Sequence, residues 1–492
     1  MDRKIFWVAL AALVLPIIIR LVWFFPGFNF PRSIATPDYA NLKPPEAPVS
    51  TTQVEAVKQL GGVVVVDYAH TNQFQPGEIQ TLTDALTQRG AQVEFASDQT
   101  TLAVQLKVAS AYVVISPSTP FASDDIQLVT DFVSRGGRLA VFTDATRGQV
   151  MYDFSGNPVG NTPDVDSANP LLEPFGITIN GDYLYNLVEN EGNFRNVYFK
   201  SFGKSDLTWG LSKIALYGTH SVETDSGLPL FIGDDKTLSS TTDATPSNYP
   251  KEGWSAAVLS KDGNVLAAGD FTFLMAPYNT VGDNSSLISN IADFLLSGQR
   301  KDVLTDFPYI FNGTTVDILP TSNIQLTAGM TGALSKLQAQ LAATGIELKV
   351  VKDNPTDDNL IVLGTFSSSD DLTKYVEPFN VKLDDSSEYV DIPQFGKLGR
   401  SGNGVLLFSH SDKGTTLVLL ANTEDDVTTL MDTLSSGDLS TCLIQGDVGL
   451  CSIGTGSSFS EGGTSTPFLN DFLTPEATPI HKEATATPTP SG

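Results

Sequence analysis

The alternation of strand and helix patterns between residues 63 and 144 constrains the fold of this chain most strongly. Helical patterns at 77–89 and 124–135 each end at glycine and lie between apolar runs of strand length. These runs are GVVVVD at 62–67, QVEF at 92–95, AYVVI at 111–115 and RLAVFT at 138–143. Strands joined through helices in this way favour parallel pairing with right-handed crossovers. The pattern predicts an α/β fold with a doubly wound, mostly parallel sheet.

The chain has 492 residues, which is too many for one ordinary hydrophobic core. A second, smaller α/β domain is predicted because strand and helix patterns return after residue 301. Changes in composition set the remaining boundaries. We predict a cytoplasmic stub at 1–4, a transmembrane helix at 5–25, a Pro-rich stalk at 26–57, the first α/β domain at 58–300, the second at 301–455 and a disordered Thr/Pro/Ser-rich tail at 456–492.

The apolar segment at 5–25 is long enough to cross a bilayer, which takes about 20 helical residues. Arg20 lies near its far end, where a long side chain can reach the headgroups. Arg3 and Lys4 precede the segment and favour a cytoplasmic N-terminus. Because no small-residue cleavage site follows, we predict an uncleaved signal-anchor, with a cleaved signal peptide as the alternative. The chain would be a single-pass cell-membrane protein with its bulk extracytoplasmic.

The charge balance limits the partners of the chain. It has 29 Lys and Arg against 56 Asp and Glu, giving a formal net charge of −27, which would repel nucleic acid. A glycine-rich phosphate loop and zinc-binding spacings are both absent from the sequence, so we predict no cofactor and no metal. The predicted partners are the membrane, through the N-terminal helix, and an envelope protein or a glycan.

The two cysteines, Cys442 and Cys451, stand in TCLIQGDVGLCSIG. A turn around Gly446 and Asp447 would bring them together across a hairpin. An isolated pair in an exported chain usually forms a disulfide, which we predict here, and two free thiols are the alternative.

Polar residues follow the predicted strands at the end where open α/β sheets bind ligands. They are Asp67, His70 and Asn72 after the first strand, Ser116 after the third, Asp144 after the fourth, and Asp270 and Asn284 in the later segment. We predict that they line a ligand-binding crevice. Two structural interpretations stay open: His70 and Asn72 could hold the turn after the first strand, and Asp283 and Asn284 could cap the last helix.

A histidine beside a carboxylate can act as a general base, but a nucleophile is not evident. Ser116 lies in ISPSTP rather than in G-x-S-x-G, so we expect the strained turn that exposes a catalytic serine to be missing. No cysteine occurs at 58–300. We therefore predict no catalytic residue and favour a binding function. The alternative is a cell-envelope hydrolase that uses His70 with Asp67 or Asp144.

The order D-x-x-H-x-N after the first strand, a strand ending in a Pro-containing loop and a helix ending SRGGRL resembles the class I glutamine-amidotransferase-like domains of bacterial membrane proteins. More narrowly, the chain resembles the domain of unknown function found in auxiliary proteins of gliding-motility-type ABC transporters. NPLLEPFGI at 169–177 and the segment 269–295 are similar to later signatures of that group. The resemblance covers about residues 60–300. It implies a degenerate amidotransferase-like fold without glutaminase activity, used for binding, with matching positions at Asp67, His70, Asn72, Asp270 and Asn284.

Overall fold

The computed structural model describes residues 3–24, 58–241, 253–311 and 313–454, apart from positions 354, 356, 357, 412, 413, 438 and 440. The predicted stalk at 26–57 and tail at 456–492 lie outside the described residues, as do residues 1, 2 and 25 of the predicted stub and membrane segment. The chain divides into two compact units, residues 1–57 and 58–492.

The first unit contains helix α1, Arg3–Phe24, of 22 residues with a mean hydropathy of 2.6. It is the one helix among the described residues that is long and apolar enough to cross a membrane. The membrane-spanning assignment rests on length and composition alone. A signal sequence near the N-terminus has the same two properties.

Eight further α-helices are described in the second unit. They are α2 Gln80–Gln88, α3 Gln99–Gln105, α4 Ser123–Ser134, α5 Val165–Leu172, α6 Asn284–Leu296, α7 Ala328–Ala343, α8 Asp370–Val376 and α9 Glu424–Ser436. Helix α3 was not predicted from the sequence, and it provides the connection between the second and third strands.

The first sheet has seven strands, of which five are parallel neighbours. Its parallel strands, in spatial order, are β2 Gln92–Ala96, β1 Val63–Asp67, β3 Ala111–Ile115, β4 Arg138–Phe142 and Val265–Ala268. Strands Ala257–Leu259 and Leu228–Pro229 continue the sheet in antiparallel pairing. The predicted α/β class and mostly parallel sheet are therefore confirmed. The strand order reverses direction between β1 and β3, the position at which such sheets bind ligands.

Both faces of this sheet are covered, because alternate strand residues belong to two separate cores. Val64 and Val66 of β1 pack with helices α2 and α6 on one face. Val65 packs with α3, α4 and α5 on the other. Strands that are buried on both faces must be apolar throughout, which explains the uninterrupted valines of β1.

The second sheet also has seven strands. In spatial order they are Glu347–Val350, Thr315–Pro320, Leu360–Thr365, Thr415–Ala421, Asn403–His410, Val448–Ser452 and Cys442–Gln445. The first four are parallel and the remaining pairings are antiparallel. Cys442 lies opposite Cys451 in the terminal hairpin, and the two form the predicted disulfide.

Six short two-stranded ribbons among the described residues are separate from the two seven-stranded sheets. Their strands are Gln149–Tyr152, Pro158–Thr162, Ile177–Ile179, Leu184–Asn186, Asn196–Phe199, Ser201–Phe202, Ile214–Tyr217, Val222–Thr224, Phe231–Ile232, Thr237–Ser239, Tyr389–Ile392 and Gly396–Gly399. Ten of these twelve strands lie between residues 149 and 239. Because each strand has only two to five residues, the alternation typical of longer strands is hard to detect in this part of the sequence.

Candidate functional site

The polar residues predicted at the carboxyl ends of the first sheet do lie at that edge, but they form a buried layer. Asp67, Ser116, Asp144 and Asp270 are 0% exposed, and His70 is 2% exposed. Each makes at least one hydrogen bond within the protein, although Nε2 of His70 makes none among the described residues. The predicted open crevice is therefore filled by contacts among these side chains and their neighbours.

Asp67 and His70 form a pair at the end of β1, with 3.0 Å between Nδ1 of the imidazole and Oδ2 of the carboxylate. The other ring nitrogen, Nε2, lies 3.6 Å from Oδ2 of Asp125. The ring also stacks on Phe121, with 3.6 Å between the ring centroids. His70 is therefore enclosed between two carboxylates and an aromatic ring.

Asn72 and Asn284 both bind backbone groups. The Asn72 amide donates to the carbonyl of Ile115 over 2.9 Å, which ties the loop after β1 to the end of β3. Asn284 is the first residue of α6 rather than its cap. Its amide accepts from the N–H of Ala215 and donates to the carbonyls of Ala215 and Tyr278. These contacts give both residues a structural role.

Ser116 follows β3 with a φ of +45°, a left-handed conformation that residues other than glycine rarely adopt. It occupies the sharp turn between β3 and α4, where a strand-to-helix elbow places a nucleophile. The expectation that this strained turn is missing was wrong. In the G-x-S-x-G motif the turn exposes the serine to substrate. In this chain the turn is present, but the Ser116 side chain is buried.

Asp164 contacts several groups of this buried polar layer. It is not among the site residues predicted from the sequence. Its Oδ2 accepts hydrogen bonds from Oγ of Ser116 at 2.6 Å and from the N–H of Asp144 at 2.9 Å. Its Oδ1 lies 3.4 Å from Nε2 of His220. The opposite ring nitrogen of His220 lies 2.6 Å from the carbonyl oxygen of Asp182. One carboxylate thus contacts Ser116, His220 and the loop that follows β4.

The order of these groups differs from that of a hydrolytic triad, in which histidine lies between the serine and the carboxylate. Here Asp164 lies between Ser116 and His220, so the imidazole has no direct contact with the hydroxyl. Burial lowers the pKa of His220, but the nearby carboxylate of Asp164 raises it by a larger amount, so the net shift is upward. The arrangement is suited to holding a buried ion pair.

Asp144 and Asp270 form a second buried group beneath Thr272. The hydroxyl of Thr272 donates to Asp144 over 2.6 Å, and its N–H donates to Asp270 over 2.7 Å. Burial raises the pKa of both carboxyls, and that of Asp270 is raised well above its usual range, with the nearby charge of Asp144 adding to the effect. Two like charges so close together favour one shared proton in place of two carboxylates.

A cleft of about 440 Å³ lies over the Asp144–Asp270 pair. Thr146 and Thr272, which both hydrogen-bond to Asp144, contribute to its lining. Arg147 also lines it and pairs with Glu78 at 2.6 Å. The cleft is therefore the accessible part of the carboxyl edge, and the buried layer supports it from below.

Arg195 is the exposed cation of the cleft. Its guanidinium stacks on the ring of Tyr183 at 4.1 Å from the centroid. No ion pair of Arg195 occurs within the described part of the chain. Stacking orients the planar group while leaving its edge free to bind oxygen atoms.

Across the described residues of the chain, no group of three or more His, Cys, Asp or Glu side chains is arranged to hold a metal ion.

No family model and no curated protein matches this chain. Among solved structures, the mmIFT52 N-terminal domain is similar with a TM-score of 0.37 and 12% identity, over 48% of this chain and 99% of that one. A putative thua-like protein from Bacteroides uniformis ATCC 8492 gives a TM-score of 0.29 and 9% identity, over 50% and 94%. A second, from Parabacteroides merdae ATCC 43184, gives 0.26 and 9%, over 50% and 94%. These likenesses are too distant to indicate what the chain does.

Proposed function

We propose that this chain is a membrane-anchored, non-catalytic binding protein. We further propose that its first α/β domain, residues 58–300, is a degenerate amidotransferase-like domain. The reversal of strand order between β1 and β3 supports this fold assignment, as does the left-handed Ser116 after the central strand. The ligand would be a small polar molecule, a glycan fragment or part of an envelope protein. It would bind in the cleft beside Thr146, Arg147, Arg195 and Thr272.

The contrast between the cleft and the layer beneath it carries this proposal. The groups predicted or found at this edge that could perform acid–base or nucleophilic chemistry are buried, and seven of them are at most 2% exposed: Asp67, His70, Ser116, Asp144, Asp164, His220 and Asp270. A general base must come within hydrogen-bonding reach of the substrate, or within reach of one water. The side chains that line the cleft instead bind through guanidinium, hydroxyl and amide groups.

The cellular arrangement is part of the same proposal. Helix α1 would anchor the chain in the cell membrane, with its N-terminus in the cytoplasm because Arg3 and Lys4 precede the apolar run. The remaining chain would be extracytoplasmic, where a disulfide such as Cys442–Cys451 persists. A role as an auxiliary protein of an envelope transport system would fit this placement.

A hydrolase is the alternative, and the Asp67–His70 pair with the strained backbone of Ser116 favours it. Burial of the imidazole disfavours it, as does the pairing of the Ser116 hydroxyl with Asp164. Both carboxylate oxygens of Asp144 are also engaged, with Thr146 and Thr272 rather than with His70. Turnover of an envelope substrate that disappears in His70→Ala would establish the hydrolase and refute the binding function.

Arg195→Ala tests the proposed cleft. Full-length protein in lipid nanodiscs would be screened for thermal stabilisation by sugars, sugar phosphates, organic acids and amino acids, and each hit would be measured by calorimetry. Because Arg195 is the exposed, unpaired cation of the cleft, we expect its loss to weaken binding at least tenfold, or about 1.4 kcal/mol. Lys200→Ala is the matched control, since Lys200 is an exposed cation that pairs with Glu189. Hits that bind both variants equally well, or a screen without any hit below about 1 mM (about −4.1 kcal/mol), would contradict the proposal.

A further inference from the structure

Trp209 lies on the surface of the first α/β domain and is 76% exposed. It directly follows the short 3-10 turn Asp206–Thr208. The loop that carries it is fixed to helix α6, because the amide of Asn290 donates to the carbonyls of Leu207 and Trp209 at 3.1 and 3.0 Å. An indole held on a fixed backbone and left uncovered offers a flat, preoriented face.

A groove of about 350 Å³ runs beside Trp209. Leu207 and Phe294 form part of its floor and are 2% and 9% exposed. The volume is at the lower end of the range for small-molecule sites, which is about 300–1,000 Å³. A groove of this size beside one exposed aromatic ring suits a small cyclic ligand better than a protein helix about 10 Å wide.

Hydrogen-bonding groups surround the indole. Asp206 is exposed at the rim, and Asp293 is held by the buried Arg89, whose Nε lies 2.7 Å from Oδ1 of the carboxylate. Each ionised carboxylate has about four lone-pair sites, so Asp293 keeps acceptor capacity beyond its bonds to Arg89. The groove therefore places fixed oxygen acceptors next to an aromatic face.

Arg138 adds a cationic side chain to the lining of the groove. Its Nε–H is buried at the groove and has no hydrogen-bond partner among the described residues. The guanidinium lies over the ring of Phe294 at 5.0 Å, and its other end donates to Asn264. Because Nε has no accessible surface, a ligand in the groove would meet the remaining part of the guanidinium.

We propose that this groove binds a pyranose ring of a neutral oligosaccharide. The C–H face of the sugar would stack on the indole of Trp209, and its hydroxyls would donate to Asp206 and Asp293 and accept from Arg138. Hydroxyl groups can meet both kinds of partner because each is a donor and an acceptor. The two carboxylates disfavour anionic sugars and anionic lipid surfaces. This site is separate from the cleft at the carboxyl edge, and no residue lines both.

Tryptophan fluorescence of the full-length protein tests this inference. The chain has four tryptophans, and replacing Trp7 and Trp23 of α1 with phenylalanine leaves Trp209 and the buried Trp254. Titration with cellotetraose, chitotetraose and mannotetraose should change the emission with at least one of them, whereas tetragalacturonate should have no effect. Affinity for the active sugar, measured by calorimetry, should fall at least tenfold in Trp209→Ala and less in Trp209→Phe, which retains a ring.

Leu187→Ala is the matched control, because Leu187 is 71% exposed and does not line the groove. Its sugar affinity should equal that of the unaltered chain. The inference is overturned if no neutral tetrasaccharide binds, if Trp209→Ala binds as tightly as Leu187→Ala, or if phosphatidylglycerol vesicles alone change the emission. None of these results depends on Arg195, so the outcome is distinct from that for the cleft.

Discussion

Replacing Asp164 with alanine is expected to lower the free energy of unfolding by about 3–5 kcal/mol, the usual loss when one partner of a buried ion pair is removed. The change would remove the hydrogen-bond acceptor of the Ser116 hydroxyl and the Asp144 N–H, and the ion-pair partner of His220. Asp164→Asn keeps one acceptor oxygen and should lose less. Urea unfolding of the full-length protein, followed by circular dichroism, measures both effects.

Asp166→Ala is the control for this series, since Asp166 lies two residues away in α5 and is exposed. Exposed substitutions usually change stability by less than about 0.5 kcal/mol. A loss in Asp164→Ala no greater than that in Asp166→Ala would show that Asp164 does not organise the carboxyl edge.

The same ion pair gives stability a definite dependence on pH. Because Asp164 raises the pKa of His220 in the folded chain, the folded state holds its proton to higher pH than the unfolded state. The stability contributed by this pair is complete below about pH 6.5, the ordinary value for histidine, and is lost as pH rises through the folded pKa. Asp164→Asn should flatten this decline in the same unfolding measurement.

Asp144→Asn is expected to stabilise the protein at neutral and alkaline pH. The pKa of both Asp144 and Asp270 is raised, so the folded chain retains a proton that the unfolded chain releases above about pH 4. The unaltered protein should therefore lose stability as pH rises from that point. An asparagine carries no charge, and its amide can donate to Thr272 in place of accepting from it.

The gain is about 1.4 kcal/mol for each pH unit by which the shared proton is retained, so we expect at least about 1 kcal/mol at pH 8. Below about pH 3, where both carboxyls are protonated in either state, the variant and the unaltered protein should be equally stable. Urea unfolding at pH 3 and pH 8 compares them, with the exposed Asp84→Asn as control. A variant that is less stable than the unaltered chain at pH 8 would contradict a strained carboxyl pair.

The central strands of the first sheet could be predicted from the sequence. They are buried on both faces of the sheet, so they consist of continuous apolar runs. Strands β1, β3 and β4 lie within one residue of their predicted bounds. Most of the ribbon strands between residues 149 and 239 were not predicted. They are short and their stability depends on packing with other parts of the chain, so local pattern carries little information.

The candidate site was only partly predictable for the same reason. Asp67, His70, Ser116, Asp144 and Asp270 stand at ends of predicted strands, and the structure places them at one edge. Their partners Asp164 and His220 lie in the segment that lacks a clear pattern, and their contacts with each other span 56 positions in the sequence. Only the scarcity of histidine, four in the chain, could have drawn attention to His220.

The turn at Ser116 shows the limit of a motif. The sequence ISPSTP lacks the glycines of the hydrolase motif, yet Ser116 adopts φ +45°. Its N–H donates to the carbonyl of Phe142 at 2.7 Å, and its hydroxyl donates to Asp164. Contacts with distant residues therefore hold the conformation, and no local sequence rule reports them.

Labelling with a fluorophosphonate, which reacts with activated serines, tests the central claim most directly. Full-length protein would be treated in its native state and examined by intact mass and peptide mapping, with an active serine hydrolase in the same sample as a positive control. A buried Ser116 held by Asp164 should form no adduct. An adduct at Ser116 that disappears in His220→Ala would show a reactive nucleophile and contradict a binding function without catalysis.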